Sequence, residues 1–509
     1  MNEQITIPAD GIWILNRLQE HGYVGYAVGG CVRDALLHRT PHDWDFCTSA
    51  TPEQIQACFS DVPCLTIGSQ HGTIGVLRNH TVYEITTFRK ETTYHDHRHP
   101  DAVQFADSLQ TDLQRRDFTI NAMAYHPETG IIDPFHGAAD LQKRQLRCVG
   151  VPTERFTEDA LRILRAVRFA AVYGLTIQPE TAAAMEQTIP FLKWVSAERI
   201  LSECDRIVTA SYAAATLAAY PAIWFRLFPE MQPLQGFQQY HPRHAHDVWE
   251  HSLLALSYSD QQDTVLCWAS LLHDIGKPAC FHRDAAGIGH FYGHPAESAA
   301  LAKQICKRLK MDRKRTDAIV ALIAAHEVQL LPQRTYLLRM LRKYGAVQAK
   351  RLLALRKADL QAQVPAYAER DLQKLEQMQQ LLQELLQEQA CFQLKDLAIR
   401  GNDLLAMGIP KGVLIGKLLQ DALEKGALLV APFDYEAEIR ANAQLHRPSR
   451  RPIQRDRIYF DLLEMPYEQF EKKYQTGLSL KKKVKGLVKR FIPLSMRTRI
   501  RLLLQRRTK

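Results

Sequence analysis

The chain has ten cysteines in 509 residues but no Cys-x-x-Cys pair. That spacing carries most thiolate zinc sites and dithiol redox motifs, so neither is expected here. The start lacks the charged-then-apolar order of a secretory leader: it reads MNEQITIPAD. Without such a leader the cysteines read as the reduced thiols of a cytoplasmic protein. Long apolar runs are scarce as well. The uncharged stretch at residues 207–225, IVTASYAAATLAAYPAIWF, is rich in Ala and is interrupted by Pro221, which predicts buried helix and not a membrane span. Acidic residues are missing from one region altogether. Residues 481–509 hold twelve Lys or Arg and no Asp or Glu, so the net charge of +10 resolves into a basic tail and a remainder of −2. A near-neutral body can hold a polyanion only where its positive charge is concentrated locally. With 46% hydrophobic and 24% charged residues the composition is that of a globular protein, and the length predicts about three or four domains.

The first informative stretch is VGGCVRDALLHRTPHDWDF, residues 28–46. The preceding YVGYAV reads as a strand and CVRDALLH as a helix, which puts Gly29 and Gly30 at a strand-to-helix turn where backbone can close on a phosphate. Asp43 and Asp45 alternate, so in a strand they face one side. Two carboxylates side by side repel unless a cation lies between them, and hard oxygen ligands beside a phosphate cradle suit Mg²⁺. Glu84, in YEITTFR, reads equally as a third carboxylate or as a strand residue in a surface ion pair.

These residues, followed in order by RRDFTINAMAY, DPFHGAADL and RFTEDALRILRAVRFAA, resemble the successive motifs of bacterial tRNA nucleotidyltransferases, the CCA-adding enzymes related to poly(A) polymerases. The resemblance covers residues 20–205 closely. His38, where the family commonly has glycine, is a departure between motifs. The resemblance implies an α+β protein: a small α/β nucleotidyltransferase head at 1–147, followed by an all-helical neck at 148–240, a body, and a tail. It implies Mg²⁺-dependent addition of C, C and A to tRNA from CTP and ATP, with Asp43 and Asp45 as metal ligands. Gly30, Arg33 and Arg116 would then meet the triphosphate, and Asp117 the ribose hydroxyl. No protein partner is implied.

Asp159, Arg162, Arg165 and Arg168 recur every three residues, which predicts one helical face. A solvated stripe is one reading. The other is a protein template, in which a carboxylate accepts from the exocyclic amine of C or A and a guanidinium donates to the adjoining ring nitrogen. Arg165 and Arg168 would then hold phosphate or RNA backbone.

A second constellation runs through WEHSLLAL, LLHDIGKP, GHPAESAA, IAAHE and RKADLQA. It resembles the HD superfamily of metal-dependent phosphohydrolases, which implies an HD domain at 241–365. His251, His273, Asp274 and Asp359 match its core ligands, and His294 and His326 are further candidates. Such ligands suit a transition metal, Ni²⁺, Mn²⁺, Co²⁺ or Fe²⁺, that activates water. Residues 366–447 are expected to be a helical RNA-binding region. The basic tail at 448–509 is expected to contact RNA, with an anionic membrane as the alternative for its amphipathic pattern. Two rival readings of the whole chain stay open: a poly(A) polymerase, and an HD phosphohydrolase whose head only binds RNA.

Overall fold

The computed structural model describes residues 5–388 apart from 67, 92–102 and 107, together with 400–406 and short stretches of 411–419. The chain divides into two compact units, residues 1–329 with 351–372, and residues 330–350 with 373–509. The expected boundaries at 147 and 240 both fall inside the first unit. Most of the expected RNA-binding segment beyond 388, and all of the basic tail, lie outside the described residues.

The first unit opens with α1 (Ala9–Glu20), which buries Ile14, Leu15 and Leu18. These side chains pack on β1 (Gly25–Val28), where a Cβ at Gly25 would meet Leu18 at 2.9 Å. The chain continues through β2 (Asp45–Thr48), β3 (Cys64–Leu65), β4 (Thr73–Arg78) and β5 (Thr81–Thr87). A small ribbon, β6 (Arg89–Glu91) and β7 (Val103–Phe105), precedes β8 (Ala124–His126) and β9 (Gly130–Ile132). Seven of these strands form one sheet in the order β3-β4-β5-β2-β1-β8-β9. Neighbours in it are antiparallel except β2 and β5, which run parallel with Asp45 beside Glu84. One core cluster of this head joins Val28, Cys47, Phe88, Leu113, Ala124 and Val149.

Local chemistry fixes the head's short helices α2 (Gly30–Leu36), α3 (Pro52–Cys58), α4 (Leu109–Gln114) and α5 (Gly137–Gln142). Helix α3 begins with a reciprocal Thr51–Gln54 capping box and has proline in its first turn, where the missing N–H is no loss. Helix α5 is started by Asp133, whose two oxygens accept from the Gly137 and Ala138 amides.

The neck follows as α6 (Pro152–Glu158), α7 (Leu161–Tyr173), α8 (Pro179–Thr188), α9 (Ala197–Val208), α10 (Ala213–Ala219) and α11 (Pro221–Leu227). The uncharged stretch at 207–225 is therefore broken into separate helices, with Pro221 opening α11. Among the described residues no helix is long and apolar enough to cross a membrane. Beyond the neck come α12 (Val248–Ser257), α13 (Thr264–Leu272), α14 (His294–Arg308) and α15 (Arg313–Ala324). They are followed by α16 (Arg334–Gln361), which is interrupted at Gly345 with φ +76°, by α17 (Pro365–Gln387), and by α18 (Gly401–Ala406). The Gln/Leu-rich run forms α17 as one helix, as its periodicity predicts.

Neck and body share an aromatic core: Trp224 lies 4.9 Å from Phe228 and 6.1 Å from Trp268 between ring centroids. Burial of each such ring contributes on the order of 2–3 kcal/mol. Asp205 of α9 ties the same region together, accepting from the Trp268 indole at 2.8 Å and from both terminal nitrogens of Arg315.

Gly137 offers a direct test of how tightly the head is built. A Cβ there would lie 2.2 Å from the Thr119 carbonyl oxygen, which is backbone and cannot swing away. Gly137→Ala should cost about 2 kcal/mol, read as a lower urea midpoint at unchanged slope. An unmoved midpoint would show that the α5 turn yields freely.

Candidate active sites

The β1–β2 pairing aligns Ala27 with Phe46 and so brings the Gly29–Gly30 turn to the edge where Asp45 begins its strand. The Cys31 thiol reaches the Asp45 carbonyl at 3.8 Å, which confirms the proximity. Gly29 has φ +84°, and a Cβ on it would meet the Arg116 guanidinium at 2.7 Å, so this position demands glycine twice over. Asp45 keeps solvent access. Protein packed around its carboxyl, then the charges of Glu84 and Asp43, nevertheless raise it to about 6, with Arg116 opposing. Asp43 lies in the loop before the strand and not in it as expected; its exposed carboxylate pairs with His42 at 2.8 Å. The loop is what lets it turn to solvent while staying close to Asp45.

The arginines of the following motifs face inward. Arg33 donates to Asn121 at 2.6 Å and to Asp34 at 2.9 Å, and its guanidinium lies 4.5 Å from the Tyr173 ring. Arg116, with Arg115, pairs with the fully buried Asp112. Asp117 accepts from the Phe118 amide, Asn121 and Arg165. Burial alone would raise the Asp117 carboxyl, but Arg165, then Asn121 and Arg162, outweigh it and hold the group at about 2.

The common face expected for Asp159 and the three arginines is corrected by the structure. Helix α6 ends at Glu158 and α7 begins at Leu161, with Asp159 extended between them at φ −139° and ψ 103°. A carboxylate at a helix start satisfies a free amide, and Asp159 does so for Leu161 at 3.0 Å. Its other oxygen pairs with Arg199 of α9 at 2.9 Å. Arg162 pairs with Glu158 at 2.6 Å, Arg165 with Asp117 at 2.6 Å and Arg168 with Glu203 at 2.7 Å. The stripe is therefore internally matched. Arg199 escaped the sequence reading because its partner lies on another element, where spacing gives no signal; Asp112 escaped it although Arg115 and Arg116 follow at i+3 and i+4.

The second constellation does assemble. Asp247 caps α12 by accepting from Glu250, which sets His251 one turn in and buried. The apolar α13, capped by Asp263, ends directly before His273 and Asp274. His294 opens α14, His326 follows α15, and Asp359 sits in the second half of α16. All six residues are buried, and they belong to the first unit. Each oxygen of Asp274 meets its own imidazoles. Oδ2 lies 3.1 Å from His273 Nε2 and 3.4 Å from His251 Nε2; Oδ1 lies 3.2 Å from His294 Nε2 and 3.7 Å from His326 Nε2. Asp359 joins the first set at 3.1 Å from His251.

The far sides of these rings decide their chemistry. The Nδ1 atoms of His251, His273, His294 and His326 meet the carbonyls of Ala362, Ser270, Phe291 and Ile323 at 3.4, 2.8, 2.9 and 2.7 Å. A carbonyl only accepts, so it selects the tautomer with the proton on Nδ1 and leaves a lone pair on Nε2. Two such lone pairs, on His294 and His326, face each other at 3.2 Å. That arrangement is repulsive without a cation and fits metal ligation with the second-layer carbonyls that orient histidine ligands. Burial lowers the His326 imidazole to about 3, which keeps the ring neutral. Lys277, one turn beyond Asp274 in HDIGKP, pairs with it at 2.6 Å. The i, i+3 spacing was the available sign of that pair, and the sequence reading missed it.

Comparison with known proteins finds likenesses in the head, in part of the neck and in the C-terminal half. Residues 25–147 match the poly A polymerase head domain, 174–220 a probable RNA and SrmB-binding site of polymerase A, and 295–427 a putative tRNA nucleotidyltransferase domain 2. A CCA-adding enzyme of Streptococcus pneumoniae is 47% identical over 206 residues, 40% of this chain and 51% of that protein. One from Limosilactobacillus reuteri is 45% identical over 209 residues, 41% and 51% of the two chains. The chain thus spans about half the length of the curated relatives it matches. The crystal structure of the Bacillus stearothermophilus CCA-adding enzyme in complex with CTP superposes with a TM-score of 0.58 at 28% identity, covering 81% of this chain and 91% of that one. A CCA-adding enzyme in complex with ATP shares the fold at 19% identity and a TM-score of 0.54, covering 86% and 97%.

The Asp117–Arg165 pair yields a prediction with a definite sign. The carboxyl sits at about 2 in the folded chain and near 3.9 when unfolded. Its contribution, about 2 kcal/mol, is therefore complete above roughly pH 4 and is lost as the pH falls toward 2. Asp117→Asn should lower stability at pH 7 by that amount, with the difference from wild type shrinking below pH 4 in urea titrations. A difference independent of pH would contradict the assignment.

Proposed function

We propose that the chain is a member of the CCA-adding enzyme and poly(A) polymerase family and that it adds C and A from CTP and ATP to the 3′ end of tRNA, releasing pyrophosphate. The observation that carries this reading is the acidic edge of the head sheet: Asp45 and Glu84 side by side in register, Asp43 next to them, and the Gly29–Gly30 turn adjacent. Asp43 and Asp45, with Glu84, would hold Mg²⁺. The ion supplies charge neutralisation for the triphosphate and activation of the RNA 3′-hydroxyl. Gly30 admits the triphosphate close to backbone, while Arg33 and Arg116 put fixed positive charge behind the turn. Asp117 orients the ribose side through the network it shares with Asn121 and Arg165.

Nucleotide choice is assigned to Asp159 and Arg162. Arg199 holds the Asp159 carboxylate in place, and the edge of that carboxylate accepts from the amine of C or A, which G and U lack at that position. Arg165 and Arg168 support this wall from behind through Asp117 and Glu203. We place the protein in the cytoplasm, in keeping with nine free thiols among the described residues.

A second activity is supported by the histidine lone pairs that converge on Asp274. His251, His273, Asp274 and Asp359 would hold one transition metal, with His294 and His326 offering Asp274's other oxygen a second. Such an ion supplies a hydroxide-like water at neutral pH. The substrate class we assign is a phosphoester at an RNA end, such as a 2′,3′-cyclic phosphate, whose removal restores the hydroxyl that nucleotide addition needs.

Incubation of the purified chain with tRNA lacking its CCA end, and with each labelled nucleotide alone and then together, tests the first activity. Incorporation is expected from CTP and ATP and not from GTP or UTP. Asp45→Asn should abolish it while tRNA binding persists; retention of rate would refute the metal assignment. His273→Ala should leave incorporation intact and remove metal-dependent release from cyclic phosphate ends. Hydrolysis surviving in that variant would refute the second site.

A further inference from the structure

The histidine–aspartate centre contains more unmatched polar atoms than metal ligation accounts for. His244 Nδ1 and Gln363 Oε1 are buried and have no hydrogen-bond partner among the described residues. Both residues touch ligand residues. The His244 ring meets His251 edge-on, with centroids 5.0 Å apart and planes at 86°, and Gln363 donates from Nε2 to Asp359 Oδ1 at 3.2 Å.

His244 lies in the loop before α12. Its loop is fixed by polar bonds on both sides: the Val364 amide donates to the Arg243 carbonyl at 2.9 Å, the Arg243 guanidinium pairs with Asp371 at 3.0 Å, and Gln239 donates to the His246 carbonyl at 3.2 Å. The His244 amide itself donates to the His241 carbonyl at 2.9 Å. Gln239 also accepts from Lys277, which pairs with Asp274, so the loop is tied to the centre through two side chains. A buried imidazole nitrogen left unmatched is destabilising, and such an atom beside a ligand cluster marks a place for a bound group.

We propose that His244 is a substrate-binding catalytic residue of this centre, donating from Nδ1 to an unesterified oxygen of the phosphoryl group. The assignment rests on the hydrolytic reading and extends it, since it separates a group that meets the phosphate from those that meet the metal. His251, His273 and Asp274 already bring their ligating atoms within 4.8 Å of one another, and His244 stands beside that set through the His251 ring. A neutral imidazole N–H is suited to the role because it grips an anion without bringing another cation beside the metal.

The test uses full-length protein loaded with Mn²⁺, with orthovanadate as the phosphate mimic. Metal content after dialysis is measured by mass spectrometry and vanadate affinity by calorimetry. His244→Ala is expected to retain its metal and its thermal transition but to bind orthovanadate about tenfold more weakly, the loss of one hydrogen bond to a charged group. His244→Asn, whose amide can donate, should recover part of that affinity. Equal vanadate affinity in metal-replete wild type and His244→Ala would overturn the assignment alone. Loss of metal from both variants would also overturn it, by making His244 a ligand. A wild type that retains no metal and binds no orthovanadate would overturn the hydrolytic reading and this residue's part in it together.

Discussion

A carboxylate taken out of water must be matched by positive charge, and how each buried acid of this chain is matched sets what its surroundings do. In the head's interior and the neck the protein supplies the match itself. Asp112 takes Arg115 and Arg116, Asp117 takes Arg165, Glu203 takes Arg168, and Asp159 takes Arg199. The Asp112 pairs are local, whereas the other three join elements distant in sequence and so fix how α7 and α9 stand against the head and each other. At the head's sheet edge the supply falls short. Asp43, Asp45 and Glu84 crowd one corner, and Asp45 is driven up to about 6 despite Arg116. In the body Asp274 has Lys277 and four imidazoles, yet the imidazoles turn lone pairs inward. Crowded carboxylates in the head and facing lone pairs in the body mark the two places proposed for a cation.

Much of this was legible in the sequence because the signals were local. A strand, two glycines and a helix are written in YVGYAVGGCVRDALL, and the structure has β1, Gly29 and α2 there. The histidines and aspartates of WEHSLLAL, LLHDIGKP, GHPAESAA, IAAHE and RKADLQA meet as the motif order implied. Periodicity failed where a competing local bond was stronger. Asp159 has helical spacing to Arg162, but an aspartate gains more by capping the next helix than by sitting inside one, so it leaves the face it was assigned to. Spacing alone also makes Arg165 and Arg168 look free, because Asp117 and Glu203 are 48 and 35 residues away along the chain. Arg199 and His244 gave no sequence signal at all, since their roles depend on which element folds against which.

The same division would let one chain carry the two proposed chemistries without mixing them. The sheet edge offers hard carboxylate oxygens open to solvent, which suit a hydrated Mg²⁺ carried in with a triphosphate. The body offers buried imidazoles oriented by backbone carbonyls, which suit a resident transition metal. Between them the Asp205–Arg315–Trp268 contact and the Trp224–Phe228–Trp268 core hold neck and body as one packed region. Nothing in the ligand chemistry requires either site to borrow from the other.

The central claim is that a resident transition metal belongs where histidine lone pairs converge on Asp274, and not at the carboxylates of the head. Metal analysis of the purified full-length chain after exhaustive dialysis tests it most directly, comparing wild type with Asp274→Asn, Asp45→Asn and Asp112→Asn. The account predicts a transition metal that survives dialysis in wild type, is lost with Asp274, and is unaffected by either substitution in the head. Dialysed wild type free of transition metal, or equal retention when Asp274 is replaced, would contradict it.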